Sequence, residues 1–480
     1  MSSLVAIIPI LIVTLSALAA MLAEAFREPG ERMPAGLGLI GLVGAILASI
    51  FLWDREATAF GVVLADNFAL FVNIVLGIVG ILTLLMSSDV IDRERLPAGE
   101  YYALMLFAIA GMMLMASATD LLVIFLALEV FSLAVYVLTG IRRASAAGAE
   151  AAFKYFLLGA FSSAFFLYGV AFTFAVTGST RLDRVGAELA RQANEPGILL
   201  LIAVGLLMVG FAFKVSAVPF HMWTPDAYQG APTIVTGFMS TAVKAAAFAA
   251  FVRVFASTLE PLQQQWAPLL WAIAVATMIG GTVVGVVQTN VKRMLAYSSI
   301  AHAGYLLVGL VATNPSRPVG QAAVLFYLLS YAVTNVGAFG VVAMLGTGER
   351  PHDELDDFRG LWQRRPGLAG LMTVFLLSLG GFPPTAGFIG KWYIFNAAVQ
   401  EGQYWLAIIG VLTSVVSVFF YVRVIVMMYM TEEAAEAPPT PALSIVAAAG
   451  LTFAVIAVFY LGVLPTRVLD LAAQSVATIF

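Results

Sequence analysis

Lysine and arginine are distributed differently along this 480-residue chain. Four of the five lysines lie within or at the edge of long apolar stretches, at Lys154, Lys214, Lys244 and Lys391. The nineteen arginines lie almost entirely in polar connections or at the ends of those stretches. A charge at the centre of a membrane-spanning helix costs roughly 2.5–3.5 kcal/mol. A buried lysine can give up its proton, whereas an arginine stays charged. The pattern therefore predicts reversible protonation inside a membrane.

One acid and one histidine join these buried lysines. Glu129 is the only charge between Asp120 and Arg142. An unpaired carboxylate there would be costly, so a basic partner on a neighbouring helix is expected, and Lys214 is the candidate. Moving the acid away from that lysine would favour release of the lysine's proton. His302 lies in SSIAHAGYLLVG, where serine and tyrosine hydroxyls suit a relay of water and protons.

Each of these residues also has a structural interpretation. Lys154 follows Glu150 closely and can extend its amine to the membrane interface. His302 can fix helix packing by bonding a backbone carbonyl, and a structural ion pair is the alternative for Glu129 and the other three lysines. Arg423 either pairs with a carboxylate or supplies a fixed positive field. The secondary candidates, of which two can pin a helix break, are Lys154, His221, Asp226, Lys292 and Arg423.

Two of the apolar stretches are interrupted close to their lysines. Pro219 follows Lys214 in KVSAVPFHMW, and Pro383 and Pro384 precede Lys391 in GGFPPTAGFIGKW. Proline removes a backbone donor, and the groups it frees are tolerated in a membrane only where protein or water meets them. An unbroken helix over 366–400 would also be roughly 50 Å long, which exceeds the hydrocarbon core. Both stretches are therefore predicted to be discontinuous helices.

The composition, 61% hydrophobic and 11% charged, is that of an all-α polytopic membrane protein. Long apolar runs recur from end to end. The predicted membrane spans, fourteen in number, lie near 4–23, 35–53, 67–88, 101–119, 121–141, 153–177, 197–222, 230–255, 266–288, 294–313, 321–346, 367–400, 404–430 and 442–464. Only a short tail is expected after the last of them.

The two interrupted spans, the seventh and the twelfth, are five spans apart and so run in opposite directions. This arrangement is typical of inverted repeats. Within one transmembrane domain (1–480), we predict three N-terminal helices in 1–100, a first repeat of spans 4–8 in 101–255, a second repeat of spans 9–13 in 266–430, and a C-terminal helix in 442–480.

The basic residues of the loops predict the orientation. The loops after odd-numbered spans hold twelve lysines and arginines, against seven on the other side, so the first set is predicted to be cytoplasmic and both termini periplasmic. The N-terminal apolar run lacks a basic leader and a clear cleavage site, so we expect it to be a retained span.

Some classes of chemistry are excluded or disfavoured. The chain has no cysteine for iron–sulfur clusters or disulfides, and it has no Walker motif. Gly36, Gly38 and Gly41 form a GxGxxG pattern, but they lie inside an apolar span, where close helix packing is the better interpretation. Gly281 and Gly285 are interpreted in the same way.

Three stretches resemble the antiporter-like membrane subunits of respiratory complex I: KVSAVPFHMWTPDAYQGAPT, NVKRMLAYSSIAHAGY and GGFPPTAGFIGKWYIF. The resemblance covers almost the whole chain. Lys391 distinguishes the chain from subunit M, which typically has glutamate at this position. The lateral amphipathic helix of subunit L has no counterpart here.

The resemblance implies fourteen core helices, inverted repeats and discontinuous seventh and twelfth helices. It implies a proton relay, with Glu129 as the fifth-helix glutamate and Lys214 as its seventh-helix partner. Lys244 would be the connecting lysine, His302 the relay histidine and Lys391 the terminal lysine.

The resemblance also implies a setting: a proton-translocating subunit in the bacterial inner membrane. Redox chemistry with NADH, FMN, iron–sulfur clusters and quinone would lie in other subunits, with no cofactor or metal on this chain. The implied partners are subunit M, subunits J and K, the lateral helix of subunit L and membrane lipids, but no nucleic acid. The alternatives are a subunit of a multisubunit cation/proton antiporter and a structural scaffold.

Overall fold

The structure is a computed structural model that describes residues 2–26, 32–192, 196–347, 352–432 and 442–479. Within those ranges, eleven helices are long and apolar enough to cross a membrane. Three shorter apolar helices match the first predicted span and the first halves of the two interrupted spans. The prediction of an all-α polytopic membrane protein is confirmed. Arg27 and Arg350, which the orientation count used, lie outside the described residues.

The elements of the first half of the chain are α1 (Ser2–Val5), α2 (Ile8–Glu24), α3 (Met33–Phe51), strands β1 (Ala57–Ala59) and β2 (Val63–Ala65), α4 (Asn67–Glu94), α5 (Ala98–Ser117), α6 (Leu121–Thr139), α7 (Ala146–Thr177), α8 (Leu182–Gln192), α9 (Ile198–Lys214), α10 (Trp223–Gly230), α11 (Thr233–Phe238) and α12 (Lys244–Phe251). Two π-helical segments, Met239–Val243 and Val252–Thr258, extend α11 and α12 into one continuous eighth span over 233–258.

The elements of the second half are α13 (Gln263–Val286), α14 (Val291–Val311), α15 (Val319–Leu345), α16 (Leu361–Arg364), α17 (Pro366–Gly380), α18 (Ala386–Gln400), α19 (Tyr404–Met430), α20 (Ile445–Val463) and α21 (Thr466–Ala477). Short 3₁₀ turns at Glu260–Leu262 and Leu355–Phe358 lie in the connections.

Polar side chains begin several of these helices. Asp120 accepts from the amide of Leu122 at 2.8 Å, and Asn290 accepts from the amide of Arg293 at 3.0 Å. Such caps satisfy amides that the first turn of a helix leaves unpaired. They also fix where α6 and α14 begin, and with that the depth at which Glu129 and His302 lie.

Both predicted helix breaks are present. The seventh span stops at Lys214 and resumes at Trp223, and the twelfth stops at Gly380 and resumes at Ala386. Gly381 ends α17 with φ of 85°, a left-handed conformation that favours glycine.

The centre of the molecule is formed by the eighth span, α14 and α15. The most apolar stretch of the eighth span is buried throughout, and the corresponding stretches of α14 and α15 are buried almost throughout. Helices α2, α3, α7 and α20 surround this centre and are buried over only about a third of their length. Lys244 and His302 thus lie on the most enclosed helices.

Close packing explains the glycine pattern in α3. A Cβ at Gly41 would collide with the side chain of Ser16 in α2. A Cβ at Gly281 would likewise lie 2.5 Å from the backbone nitrogen of Ala301 in α14. The interpretation as packing glycines is confirmed for Gly41 and Gly281, but not for Gly36, where a Cβ would meet nothing within 4 Å.

Several elements outside the membrane spans were not predicted. The connection before α4 folds into an antiparallel hairpin of β1 and β2, with Ala57 opposite Ala65. The connection 178–196 contains α8, and the expected tail contains α21. The hairpin was not predicted because its two strands are too short to leave a recognisable pattern in the sequence. We call the membrane face that carries this hairpin the hairpin face; α4 and α15 begin there and the eighth span ends there.

Candidate functional site

Lys214 lies at the first helix break with its side chain 2% exposed. Its Nζ donates to Ser132 Oγ of α6 at 2.6 Å and lies 4.8 Å from the centre of the Phe131 ring. The rings of Tyr136 and Tyr155 are each 5.6 Å away. The amine is therefore held by one hydroxyl and by the faces of aromatic rings.

Glu129 lies one turn before Ser132 on α6 and is half-buried. Its Oε1 accepts a hydrogen bond from Ser163 Oγ of α7. Glu129 and Lys214 do not form an ion pair within 4.0 Å. A cavity of about 10 Å³, lined in part by Ser162, Ser163 and Lys214, lies between α6, α7 and α9. That is close to the room that one water molecule needs, so hydroxyls and a water can connect the acid to the amine.

Lys154 and Asp226 meet at the face opposite the hairpin face. Lys154 Nζ lies 2.8 Å from Asp226 Oδ2 and 2.8 Å from Glu150 Oε1. Arg293 Nη1 of α14 binds the other oxygen of Asp226, also at 2.8 Å. The Lys154 side chain is 43% exposed, and a cavity of about 170 Å³ opens beside it. This cluster links α7, α10 and α14 at the membrane surface.

Lys244 lies immediately after a π-helical turn, a feature that often marks functional sites. Its buried Nζ donates to Ser299 Oγ of α14 at 2.5 Å and to the carbonyl of the same residue. Tyr331 of α15 donates to Ser299 Oγ at 2.8 Å, and Asn335 donates to Tyr331 at 2.9 Å and to Ser240 at 2.8 Å. This network joins the three central helices around one amine.

His302 is enclosed between two tyrosines. Its Nδ1 lies 2.6 Å from the hydroxyl of Tyr327 and its Nε2 3.2 Å from the hydroxyl of Tyr421. The Tyr421 hydroxyl is in turn 2.5 Å from Ser298 Oγ. A ring whose two nitrogens both contact hydroxyls can accept a proton on one side and release one on the other.

Lys391 lies on α18 and reaches back to the end of α17. Its Nζ donates to the carbonyls of Leu379 and Gly380 at 2.8 and 3.1 Å and to Ser414 Oγ at 2.8 Å. The Tyr305 ring is 5.2 Å away. The break at Pro383 and Pro384 exposes these carbonyls, and an ammonium is favourable at the negative end of a helix.

Lys292 and Arg423 hold the carboxyl ends of other helices. Lys292 Nζ donates to the carbonyls of Gln229 and Ala231 at 2.8 and 2.7 Å. Arg423 donates to the carbonyls of Val286 and Gln288. Among the described residues, the hydrogen bonds of Arg423 are with backbone carbonyls and not with a carboxylate. His221 lies half-buried in the first break, and its Nδ1 has no partner among the described residues.

Sequence reasoning did not single out the tyrosines at 327, 331 and 421. They lie in apolar runs, where an aromatic residue usually serves packing. Only their contacts with His302 and Ser299 show that their hydroxyls belong to the polar network. Sequence reasoning singled out neither Asp66 nor Arg253 as a functional residue. The structure places them in a buried ion pair, with Arg253 Nη2 2.8 Å from Asp66 Oδ1.

The family model described as "NADH:quinone oxidoreductase/Mrp antiporter, TM" matches residues 118–417. These residues hold all five members of the predicted relay and both helix breaks. The chain belongs to this family of membrane subunits.

The relatives indicate the branch of the family. NADH-quinone oxidoreductase subunit N of Trichlorobacter lovleyi is 45% identical over 98% of this chain and 97% of its own length. A chain of respiratory complex I from Thermus thermophilus with bound aureothin is 36% identical, with a TM-score of 0.81 over 97% of this chain and 100% of that chain. A chain of the Mrp complex from Dietzia sp. is 21% identical with a TM-score of 0.80, covering 100% of this chain and 97% of that chain; this shows a shared fold alone. The relatives thus place the chain with the subunits N.

Proposed function

We propose that this chain carries protons across the membrane as a subunit of an NADH:quinone oxidoreductase. The observation that carries the proposal is the state of Lys214, Lys244 and Lys391. Each amine is at most 5% exposed, and none has a carboxylate within 4.0 Å among the described residues. Burial without a counter-ion makes it easier for an ammonium to give up its proton. Three such amines suit groups that take up and release protons.

The contacts suggest a direction for the relay. Protons would be taken up near the Lys154–Asp226 cluster, where a cavity opens to the surface, and would reach Lys214. They would pass Lys244, whose amine contacts α14, and His302, which lies on α14, and would then reach Lys391 on α18. Glu129 would act on Lys214 through Ser132, Ser163 and water. The steps between the amines need water, because no direct hydrogen bond joins one lysine to the next.

The energy would come from electron transfer in other subunits. The relatives are NADH-quinone oxidoreductase subunits N, and NADH, FMN, iron–sulfur clusters and quinone would be bound elsewhere in the complex. Among the described residues, no group of three or more acidic or histidine side chains could hold a metal ion.

Partners and location follow from the same assignment. The proposed neighbours are subunits M, J and K and the lateral helix of subunit L, in a bacterial inner membrane with both termini on the periplasmic side. The exposed face of α6 supports a neighbour at that position, because it carries Glu129 among the leucines and valines 122, 126, 130, 133 and 137. A carboxylate on a lipid-facing stripe would be costly.

The test compares two substitutions at one position. Lys214→Arg keeps a cation that cannot release its proton, and Lys214→Ala removes the cation. If the amine must titrate, both variants lower NADH-driven proton uptake by inverted membrane vesicles by about tenfold or more. Lys154→Arg is the matched control, because its surface ion pair with Asp226 needs only a positive charge. All rates are expressed per assembled complex.

Other outcomes contradict the proposal. Normal pumping by Lys214→Arg together with failure of Lys214→Ala to assemble would assign the lysine to a structural ion pair. Normal assembly and pumping by both variants would favour a scaffold. Proton uptake that follows an imposed sodium gradient in the absence of NADH oxidation would favour a cation/proton antiporter.

A further inference from the structure

A second set of buried polar groups lies near the hairpin face, apart from the relay. Arg253 and Asp66 form the ion pair described above, yet Arg253 Nε and Asp66 Oδ2 have no hydrogen-bond partner among the described residues. Gln321 of α15 is fully buried, and neither its amide nitrogen nor its amide oxygen has a described partner. Asn73 of α4 is 2% exposed, and its Oδ1 is also unpartnered.

The helix registers place Gln321 and Arg253 at the same depth. Asn335 of α15 donates to Ser240 of the eighth span, which fixes the two antiparallel helices relative to each other. At 1.5 Å per residue, Gln321 lies about 21 Å from Asn335 toward the hairpin face, and Arg253 lies about 20 Å from Ser240 in the same direction.

A second contact between helices places Asp66 at the same depth as Gln321. Gly340 of α15 packs against the side chain of Met86 of α4. From this contact, Asp66 lies about 30 Å along α4 and Gln321 about 29 Å along α15, again toward the hairpin face. Two independent contacts between helices therefore place Asp66, Arg253 and Gln321 at one depth, in a single buried layer.

The side chains also project from the appropriate helix faces. Gln321 lies five full turns from Phe339 and so on the same face of α15. A Cβ at Gly237 would lie 3.0 Å from Phe339 Cβ, so that face packs against the eighth span. Asn73 lies about two turns from Asp66 on the same face of α4, between the layer and the depth of Lys244.

Helix α21 closes this layer from the membrane surface. Just after α21, Thr478 Oγ1 accepts from the amide of Phe68 at 3.4 Å, and the Ile479 carbonyl accepts from Ser257 Oγ at 2.7 Å. These contacts lie at the beginning of α4 and the end of the eighth span. The layer is thus enclosed by α4, α15, the eighth span and α21.

We infer that Asn73, Asp66, Arg253 and Gln321 hold a file of water molecules that branches from the relay at Lys244 and serves as a second proton outlet, beside the route through Lys391, to the hairpin face. Buried amides and charges without partners are costly, so water is expected wherever the site is polar and has room. The inference rests on the proposed function and names the side on which this chain releases protons.

The chemistry of the layer suits an outlet. Asp66 Oδ2 can accept a hydrogen bond from a water of the file and so orient it, while Asp66 Oδ1 binds Arg253. Arg253 stays charged, so it balances the carboxylate of Asp66. Gln321 and Asn73 offer both donors and acceptors, which allows them to orient waters for proton transfer in one direction.

The test removes the unpartnered amides and leaves the ion pair intact. In inverted vesicles containing the whole complex, Gln321→Leu and Asn73→Leu are each expected to lower NADH-driven proton uptake per assembled complex about threefold or more. Gln321→Asn, which retains an amide, should recover part of the rate. Thr83→Val is the matched control, because Thr83 is a buried α4 residue with an unpartnered hydroxyl that lies away from the layer.

Two results would overturn the outlet. One is normal pumping by both leucine variants, and the other is a Gln321→Asn rate no better than that of Gln321→Leu. If Gln321→Leu does not assemble, the comparison of Asn73→Leu with Thr83→Val decides. Lys244→Ala separates the two proposals: normal pumping by this variant rejects the relay itself, whereas its failure beside normal leucine variants rejects the outlet alone.

Discussion

At the scale of the residue, the buried amines differ in what holds them. Lys214 contacts a hydroxyl and aromatic rings, whereas Lys391 contacts two helix-terminal carbonyls and a hydroxyl. Carbonyl oxygens accept hydrogen bonds from the ammonium, whereas ring faces attract it only electrostatically. The two ends of the proposed relay therefore hold a proton in different environments, and this asymmetry can give proton movement a direction.

The hydroxyls around His302 lead to a prediction at this scale. Tyr327→Phe and Tyr421→Phe each remove one hydroxyl that contacts the ring and leave the packing of the aromatic side chain intact. We expect each variant to lower proton uptake per assembled complex by about tenfold or more, because a positioned proton-transfer partner contributes roughly a hundredfold or more.

Tyr155→Phe provides the control for these variants. The Tyr155 hydroxyl is buried and has no partner among the described residues, so its removal should leave assembly unchanged or slightly improved. Vesicle pumping and the amount of assembled complex are measured for all three. If Tyr327→Phe and Tyr421→Phe both pumped at the wild-type rate, His302 would not be part of the relay.

At the scale of the element, the second break depends on an unusually close approach of two half-helices. A Cβ at Gly387 would collide with the backbone carbonyl of Ser378, and Ser378 Oγ also accepts from the Gly387 amide at 3.1 Å. A backbone carbonyl has little freedom to move aside, so α17 and α18 can lie this close only with glycine at 387.

Gly387→Ala is therefore expected to destabilise the subunit by about 2 kcal/mol or more, in the range for overpacking of a closely packed core. Gly370→Ala on α17 is the control, because nothing lies within 4 Å of the added methyl. That change should be neutral or stabilising by up to about 1 kcal/mol through helix propensity. Thermal unfolding of the detergent-solubilised complex measures both, and equal melting temperatures would refute the argument.

The helix breaks and the lone lysines could be predicted because their causes are local. Proline, glycine and an isolated charge each leave a mark in the sequence within a few residues. The separation of Glu129 from Lys214 could not be predicted, because it depends on how α6 and α9 pack against α7. The pairing of Asp66 with Arg253 is equally non-local, since it joins residues 187 positions apart. Helix α21 was missed because it is short and amphipathic, whereas the spans were predicted from long apolar runs.

At the scale of the whole molecule, the outward surface combines lipid-facing and partner-facing stripes that look alike in composition. Helix α6 exposes Leu126 and Val130 at 53% and 49%, and α20 exposes Ile456 at 60%. Glu129 lies between the first two and is only half-buried. A carboxylate beside lipid would be costly, so the α6 stripe is expected to be covered by a neighbouring subunit, whereas the α20 stripe has no such polar group.

A bulky apolar substitution distinguishes the two surfaces. Leu126→Trp adds volume that lipid tolerates but a packed interface does not, so we expect the assembled complex to fall to a fraction of the wild-type amount. Ile456→Trp makes a similar change on α20 and should assemble normally if lipid covers that face. Native electrophoresis of solubilised membranes measures both. Equal assembly of the two variants would mean that α6 faces lipid, and Glu129 would then have to be shielded by α7 alone.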